Sequence, residues 1–239
     1  MSQAYALDYM PAIDAPATAR QAFIRRTYLH VAGAVAAFGG LCALLQFAVP
    51  EETIRAVFMG PFGWIGIILL VIIGQVLAER LAAPDKPVGV QYFGLGLYIV
   101  LEALFFWPLL WYAGNRFPAA AGEMHIITQA ALLTLMLAGG LTMGAFVTGK
   151  DYSFLRPLIC IGLWVALGIA IVAMIGGFSL GLFFPLLMIG LMSAAILYET
   201  SQVMYHYSTD QHVGAALAIF AAIATMFWFI LRLLMASRD

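Results

Sequence analysis

The sequence predicts an all-α polytopic membrane protein, a bundle of seven transmembrane helices, on three observations. Of its 239 residues, 64% are hydrophobic and only 10% are charged, with a mean hydropathy of +0.99. Apolar runs recur seven times at or above the about 20 residues that cross roughly 30 Å of hydrocarbon. The breaks between them carry proline, glycine and charge, the chemistry of turns. A soluble domain has roughly 45–50% apolar and about 25% charged residues. A chain this poor in charge cannot clothe itself in polar surface, so lipid is its main solvent.

Taken in order, residues 1–22 (MSQAYALDYMPAIDAPATARQA) are mixed in character and contain Pro11 and Pro16. They read as a short flexible cytoplasmic tail with no cleavable signal, and residues 23–239 as one transmembrane domain. The expected spans are Phe23–Val49, Phe62–Ala83, Val88–Ala113, His125–Val147, Pro157–Gly176, Leu180–Tyr207 and Val213–Met235. Pro50 with Glu51 and Glu52 ends the first, "APDKPVG" the second, "GNRFPAAAGE" the third and "TGKDYSFLRP" the fourth. "GGFS" is so short that the fifth and sixth helices form a tight hairpin, and "STDQH" precedes the last span.

Positive charge sets the orientation. Arg20, Arg25, Arg26, Arg80, Lys86, Lys150 and Arg156 fall on the amino-terminal side, and Arg55, Arg116, Arg232 and Arg238 on the other. This places the amino terminus in the cytoplasm. The compact chain suggests a bacterial inner membrane.

Two carboxylates interrupt the spans. Glu102 lies midway along the third, and Glu199 lies in the sixth, roughly 10 Å inside its cytoplasmic end at about 1.5 Å rise per residue. An ionisable side chain at such depth costs several kcal/mol unless it faces a bundle interior or a wet cavity. Glu199, Gln202 and His206 share one helical face at i, i+3 and i+7. Gln91, Tyr98 and Glu102 share another at i, i+7 and i+11. Two polar tracks from one side imply a cytoplasm-facing vestibule. The plainer readings are that the sixth span ends near Leu197, leaving Glu199 interfacial, and that Glu102 is protonated and bonds a neighbouring helix. Gly214, Ala218, Ala222 and Thr225 give the last helix a small-residue face, and Gly140 and Gly144 form a GxxxG in the fourth; both read as close packing.

Several function classes are excluded or weakened. The net charge of -1 argues against a nucleic-acid partner. The last helix has no lysine for a retinal Schiff base. No glycine-rich phosphate loop with its lysine is present. Of the four histidines, only His30, His206 and His212 approach one membrane side, which weakens a zinc hydrolase reading. Cys42 and Cys160 lack metal or redox spacing and read as small membrane-buried hydrophobes. No cofactor and no enzymatic activity is expected.

Four stretches, "FIRRTYLHVAGAVAAF", "TGKDYSFLRPLI", "ILYETSQVMYH" and "AALAIFAAIATMFWFILRLL", resemble the Bax inhibitor, or transmembrane Bax inhibitor motif, family over residues 23–235. The resemblance implies a seven-helix bundle with the last helix enclosed by the other six, and a pH-sensitive calcium leak. In that family two aspartates, ending helix six and within helix seven, share a proton, and an arginine near the end of helix two latches the first. Glu199 stands at the first aspartate and Arg80 at the latch. Ala222 stands where the second aspartate belongs, so the dicarboxylate pair is missing in its usual form.

The expected function is therefore a cation leak gated by Glu199 and Arg80, with Glu102, Tyr98, Gln202 and His206 along its path. Glu199 and Glu102 would be weak oxygen contacts for calcium. The alternative is a non-transporting regulator of a membrane partner such as a protease or stress-response protein.

Overall fold

A computed structural model describes residues 11–50, 52, 63–177 and 179–238. Residues 1–10, 51, 53–62, 178 and 239, Glu51, Arg55 and Phe62 among them, lie outside the described residues, and with them parts of the expected tail and of two expected turns. Seven long helices are described: α1 Ala17–Ala48, α2 Gly63–Leu81, α3 Val88–Arg116, α4 Ile126–Thr148, α5 Leu155–Gly176, α6 Phe183–Tyr205 and α7 His212–Ala236. Among the described residues, α1, α3, α4, α5, α6 and α7 are long and apolar enough to cross a membrane. α2 carries Glu79 and Arg80 in its last turn and ends at Leu81, short of the expected Ala83. The chain is a multi-pass membrane protein with an all-helical fold.

Helix boundaries follow local chemistry. α1 starts at Ala17, six residues before the expected Phe23, because the polar turn "ATARQA" is made of good helix formers that hydropathy passes over. His125 caps α4 by accepting the Ile127 N–H at 3.3 Å. Gly149 closes the same helix with φ 56°, a left-handed conformation that glycine adopts without a Cβ penalty. Gly177, φ 64°, ends α5 in the same way, and α5 packs against α6 across the short connection. Pro108 lies inside α3, which nonetheless continues to Arg116.

Contacts divide the chain into two compact groups. One comprises Ala17–Arg116 with Thr209–Phe220. Here α1 and α2 pack on α3. α1 offers a stripe, Phe23, Thr27, Val31, Ala34, Phe38 and Cys42, at the spacing of one helical face. Phe38 meets Phe106 edge-on at 5.1 Å between ring centroids and Phe220 at 5.8 Å. The other group comprises Met1–Pro16, Phe117–Ser208 and Ala221–Asp239. In it α4 and α5 pack on α6, whose Met188, Met192, Ile196, Thr200 and Val203 are buried.

Outward faces are as apolar as the interior, as lipid requires. Phe47, Val147, Trp164 and Ile175 are all at least 74% exposed. α7 is the most enclosed of the apolar spans: 67% of its apolar window is buried, against 6% for α5. The small residues behave unevenly. A Cβ on Gly214 would stand 3.2 Å from the Ala82 carbonyl oxygen, a close approach, and Ala222 is buried. The GxxxG reading is corrected. A Cβ on Gly140 or Gly144 would meet nothing within 4 Å among the described residues, so the motif makes no tight packing there. Both cysteines are free; Cys42 is buried, and Cys160 lies on an exposed face of α5.

Candidate functional site

Glu102 is buried in the middle of α3, with a residual exposure of 4%. Its Oε2 accepts a hydrogen bond from Gln75 Nε2 of α2. Sequence reasoning misses that partner, because Gln75 belongs to no polar stripe of its own. Tyr98, one turn earlier, is buried with its ring against Phe220 at 6.1 Å. Gln91 is buried too and donates to the Lys86 carbonyl at 2.9 Å. The expected alignment of Gln91, Tyr98 and Glu102 on one face is thus a buried face. The Gln75 contact also agrees with the plainer reading, in which Glu102 bonds a neighbouring helix.

Glu199 is half-buried in α6, and the helix runs on to Tyr205 instead of ending near Leu197. The Tyr207 hydroxyl donates to Glu199 Oε2 at 3.4 Å. Tyr207 is itself fixed by its backbone: its carbonyl accepts the Ala12 N–H at 2.8 Å, beside a bridge between Pro11 and Ser208. Ala12 is fully buried. The segment just before α1 therefore holds the residue that bonds Glu199.

Gln202, in α6, and His206, the C-cap residue of that helix, turn their polar ends to the loop between α4 and α5. Gln202 Nε2 donates to Ser153 Oγ at 2.9 Å, and His206 Nε2 lies 3.1 Å from that oxygen and 3.0 Å from Asp151 Oδ2. Tyr205 adds a hydrogen bond to the Gly149 carbonyl. Serine, histidine and aspartate meet here without forming a nucleophilic triad, since Ser153 and Asp151 both face the same imidazole nitrogen. The cluster is a clasp from the loop to the end of α6. Asp151 also accepts the Ser153 hydroxyl at 2.6 Å and backbone N–H at 2.9 Å. The Ser153 hydroxyl, more than any other neighbour, holds its carboxyl below the usual carboxylate range.

A family model described as inhibitor of apoptosis-promoting Bax1 matches residues 20–239. This chain belongs to that family. Among curated relatives, a BI1-like protein of Arabidopsis thaliana is 31% identical over 150 residues, 57% of this chain and 54% of that protein. The match thus spans about half the length of that relative. Protein LIFEGUARD 4 of Arabidopsis thaliana is 25% identical over 232 residues, 91% of this chain and 86% of its own. An uncharacterized Pseudomonas aeruginosa protein is 26% identical over 215 residues, covering 88% and 87% of the two chains.

Within this Bax inhibitor family chain, Arg80 is exposed in the last turn of α2. Ala222 is a buried residue of α7, and the Thr225 hydroxyl turns back to the Ala221 carbonyl at 2.8 Å. Among the described residues, no three His, Cys, Asp or Glu side chains come together as a metal cage.

Proposed function

We propose that this Bax inhibitor family protein is a pH-responsive cation leak, with calcium as the ion it passes. The observation that carries the reading is Glu199, a half-buried carboxylate in an apolar helix whose hydrogen bond comes from a tyrosine hydroxyl. An ionisable group kept at that depth is, by its cost, a functional one. Glu199 acts as the gate and Arg80 as its latch in the closed state. Glu102 is a deeper station on the path, with Tyr98, Gln202 and His206 along it. One or two carboxylates make a weak contact for a hard cation that prefers six or more oxygens, which suits a leak better than a store. The amino terminus faces the cytoplasm, and the membrane is a bacterial inner membrane.

The test is calcium entry into liposomes holding the purified protein, followed with a trapped dye between about pH 5 and pH 8, the range in which a buried carboxylate titrates. Flux above empty liposomes that changes with pH supports the leak. No flux at any pH overturns it and leaves the second reading, a regulator of another membrane protein. Ala222 favours that second reading, because without an acidic group there the proton-sharing pair of the family is missing.

Asp151 supplies a control. Its folded-state value is lowered, so its contribution to the loop clasp is complete above about pH 4 and is lost only as pH falls through the lowered value. It therefore does not titrate where the gate responds. Asp151→Asn is expected to leave the pH midpoint of flux in place while loosening the loop, read as faster proteolysis between α4 and α5. A shift of the midpoint in this variant would transfer the sensor from Glu199 to the clasp.

A further inference from the structure

α1, α3 and α7 bring together three side chains that the proposed leak does not use. Tyr92 Oη lies 2.9 Å from His30 Nε2 and 3.1 Å from His212 Nε2. The two imidazole rings are 5.2 Å apart between centroids and meet at 60°. Both ε nitrogens are therefore aimed at one phenol oxygen, across 62 and 120 residues of sequence.

The far side of His30 fixes its tautomer. Its Nδ1 lies 2.6 Å from the Arg26 carbonyl, an acceptor only, so Nδ1 carries the proton and Nε2 presents a lone pair. A backbone carbonyl behind a histidine is the arrangement that orients metal-bound imidazoles. His212 Nδ1 is buried and makes no hydrogen bond of good geometry, with the Asp210 backbone acting on the ring only as a weak acceptor, so either nitrogen can hold the proton and Nε2 can donate or ligate. In the ion-free protein, one phenol group serves two imidazoles: its O–H donates to His30, and its oxygen accepts from His212.

We propose that His30, Tyr92 and His212 form a binding site for a divalent transition-metal ion of the copper(II) or zinc type. For bonds of about 2.0–2.1 Å, ligand atoms 2.9 and 3.1 Å apart subtend roughly 90–100° at the ion. Such angles are those of a tetragonal nitrogen and oxygen shell, the preference of copper(II). The third donor is a phenolate, in place of the further histidine, thiolate or carboxylate of a common metal cage. The Tyr92 phenol loses its proton to solvent when the ion binds, and the His212 proton moves from Nε2 to Nδ1. One proton is thus released per ion.

Access and charge agree with this assignment. An open groove of about 300 Å³ runs beside the cluster, lined by Leu29, His30, Gly33, Ala34, Tyr92 and Gly96 among others. Among the described residues, no atom lies within 4 Å of where a Cβ would stand on Gly33 or Gly96, so the cluster is open on this side. Of the ionisable groups that act on His212 besides the neutral His30, Asp210 favours a cation and Arg26 opposes one.

The experiment is copper(II) titration of tag-free, chelator-treated protein in detergent, with zinc as competitor. Wild type is expected to bind one equivalent, displaceable by zinc, with a phenolate-to-copper absorption band. Tyr92→Phe should abolish the band, and both it and His212→Gln should weaken binding by at least about tenfold. Glu199→Gln should keep the band and the affinity, since the site shares nothing with the gate. Electron paramagnetic resonance of copper-loaded wild type should show coupling to two imidazole nitrogens, a reading independent of whether any variant folds. Absence of binding by wild type, no imidazole coupling, or full affinity in folded Tyr92→Phe would each overturn the site.

Discussion

Glu199→Gln is expected to make calcium flux insensitive to pH, fixed at every pH near the value that wild type reaches only in acid. Glutamine has almost the volume of glutamate and retains an oxygen to accept the Tyr207 hydroxyl at the 3.4 Å contact, so α6 and its connection to Ala12 should survive. The only quantity removed is charge. A glutamine is a carboxyl permanently discharged, which neither pairs with a latch arginine nor attracts a cation. The size of the effect follows from Coulomb's law. Unit charges about 4 Å apart interact by roughly 4 kcal/mol at an effective dielectric of about 20. A divalent ion doubles that before desolvation is counted. Even about 1.4 kcal/mol of surviving attraction is tenfold in an equilibrium constant, so the neutral-pH flux of the variant should differ from wild type by about that factor or more. The matched measurement is Glu102→Gln, which should lower flux while keeping its pH response, because Glu102 is a station and not the gate. A Glu199→Gln protein whose flux still follows pH like wild type would remove this residue from the mechanism.

The spans are legible in the sequence because lipid imposes a length and a polarity on each helix, and both are local properties. Their edges are less so: hydropathy does not register the polar first turn of α1, although Ala17, Ala19 and Arg20 are good helix formers. The depth and facing of Glu199 and Glu102 follow from helical periodicity, which also places Gln202 and His206 on the face of Glu199. What periodicity cannot supply is the partner on another element. Gln75 beside Glu102, Tyr207 beside Glu199, Ser153 beside Gln202 and Tyr92 between two histidines are all tertiary facts. Charge and span counting put His30 and His212 near one membrane side, but Tyr92 is the group that makes them a cluster. Glycine spacing misleads in a similar way. Among the described residues nothing stands within 4 Å of a Cβ on either glycine of the α4 GxxxG, while the tightest glycine of α3 carries no motif at all.

That glycine is Gly94, and adding a methyl there should cost more stability than at any other of the described glycines. A Cβ there would stand 2.7 Å from the Ala78 carbonyl oxygen, 2.7 Å from the Ala82 nitrogen and 3.0 Å from the Leu81 carbonyl carbon. All three atoms are backbone of α2 and its end, and the first two are already joined to each other by a hydrogen bond of 2.9 Å. No rotamer change can relieve such a contact. α2 must move away from α3, or its last hydrogen bond must break. Overpacking of this kind costs typically about 1–3 kcal/mol, whereas helix propensity returns at most about 1 kcal/mol for Gly→Ala. The balance is a net loss for Gly94→Ala and a larger one for Gly94→Val. Gly74 provides the contrast, since the three atoms nearest its added Cβ all belong to the Leu101 side chain, which can rotate. Gly96, two residues along α3, would meet nothing within 4 Å among the described residues, so Gly96→Ala should gain the propensity term alone. Thermal melts in one detergent should therefore rank Gly96→Ala at or above wild type, then Gly94→Ala below it, then Gly94→Val lowest. A Gly94→Ala protein that melts with Gly96→Ala would mean that α2 and α3 do not approach each other at this point.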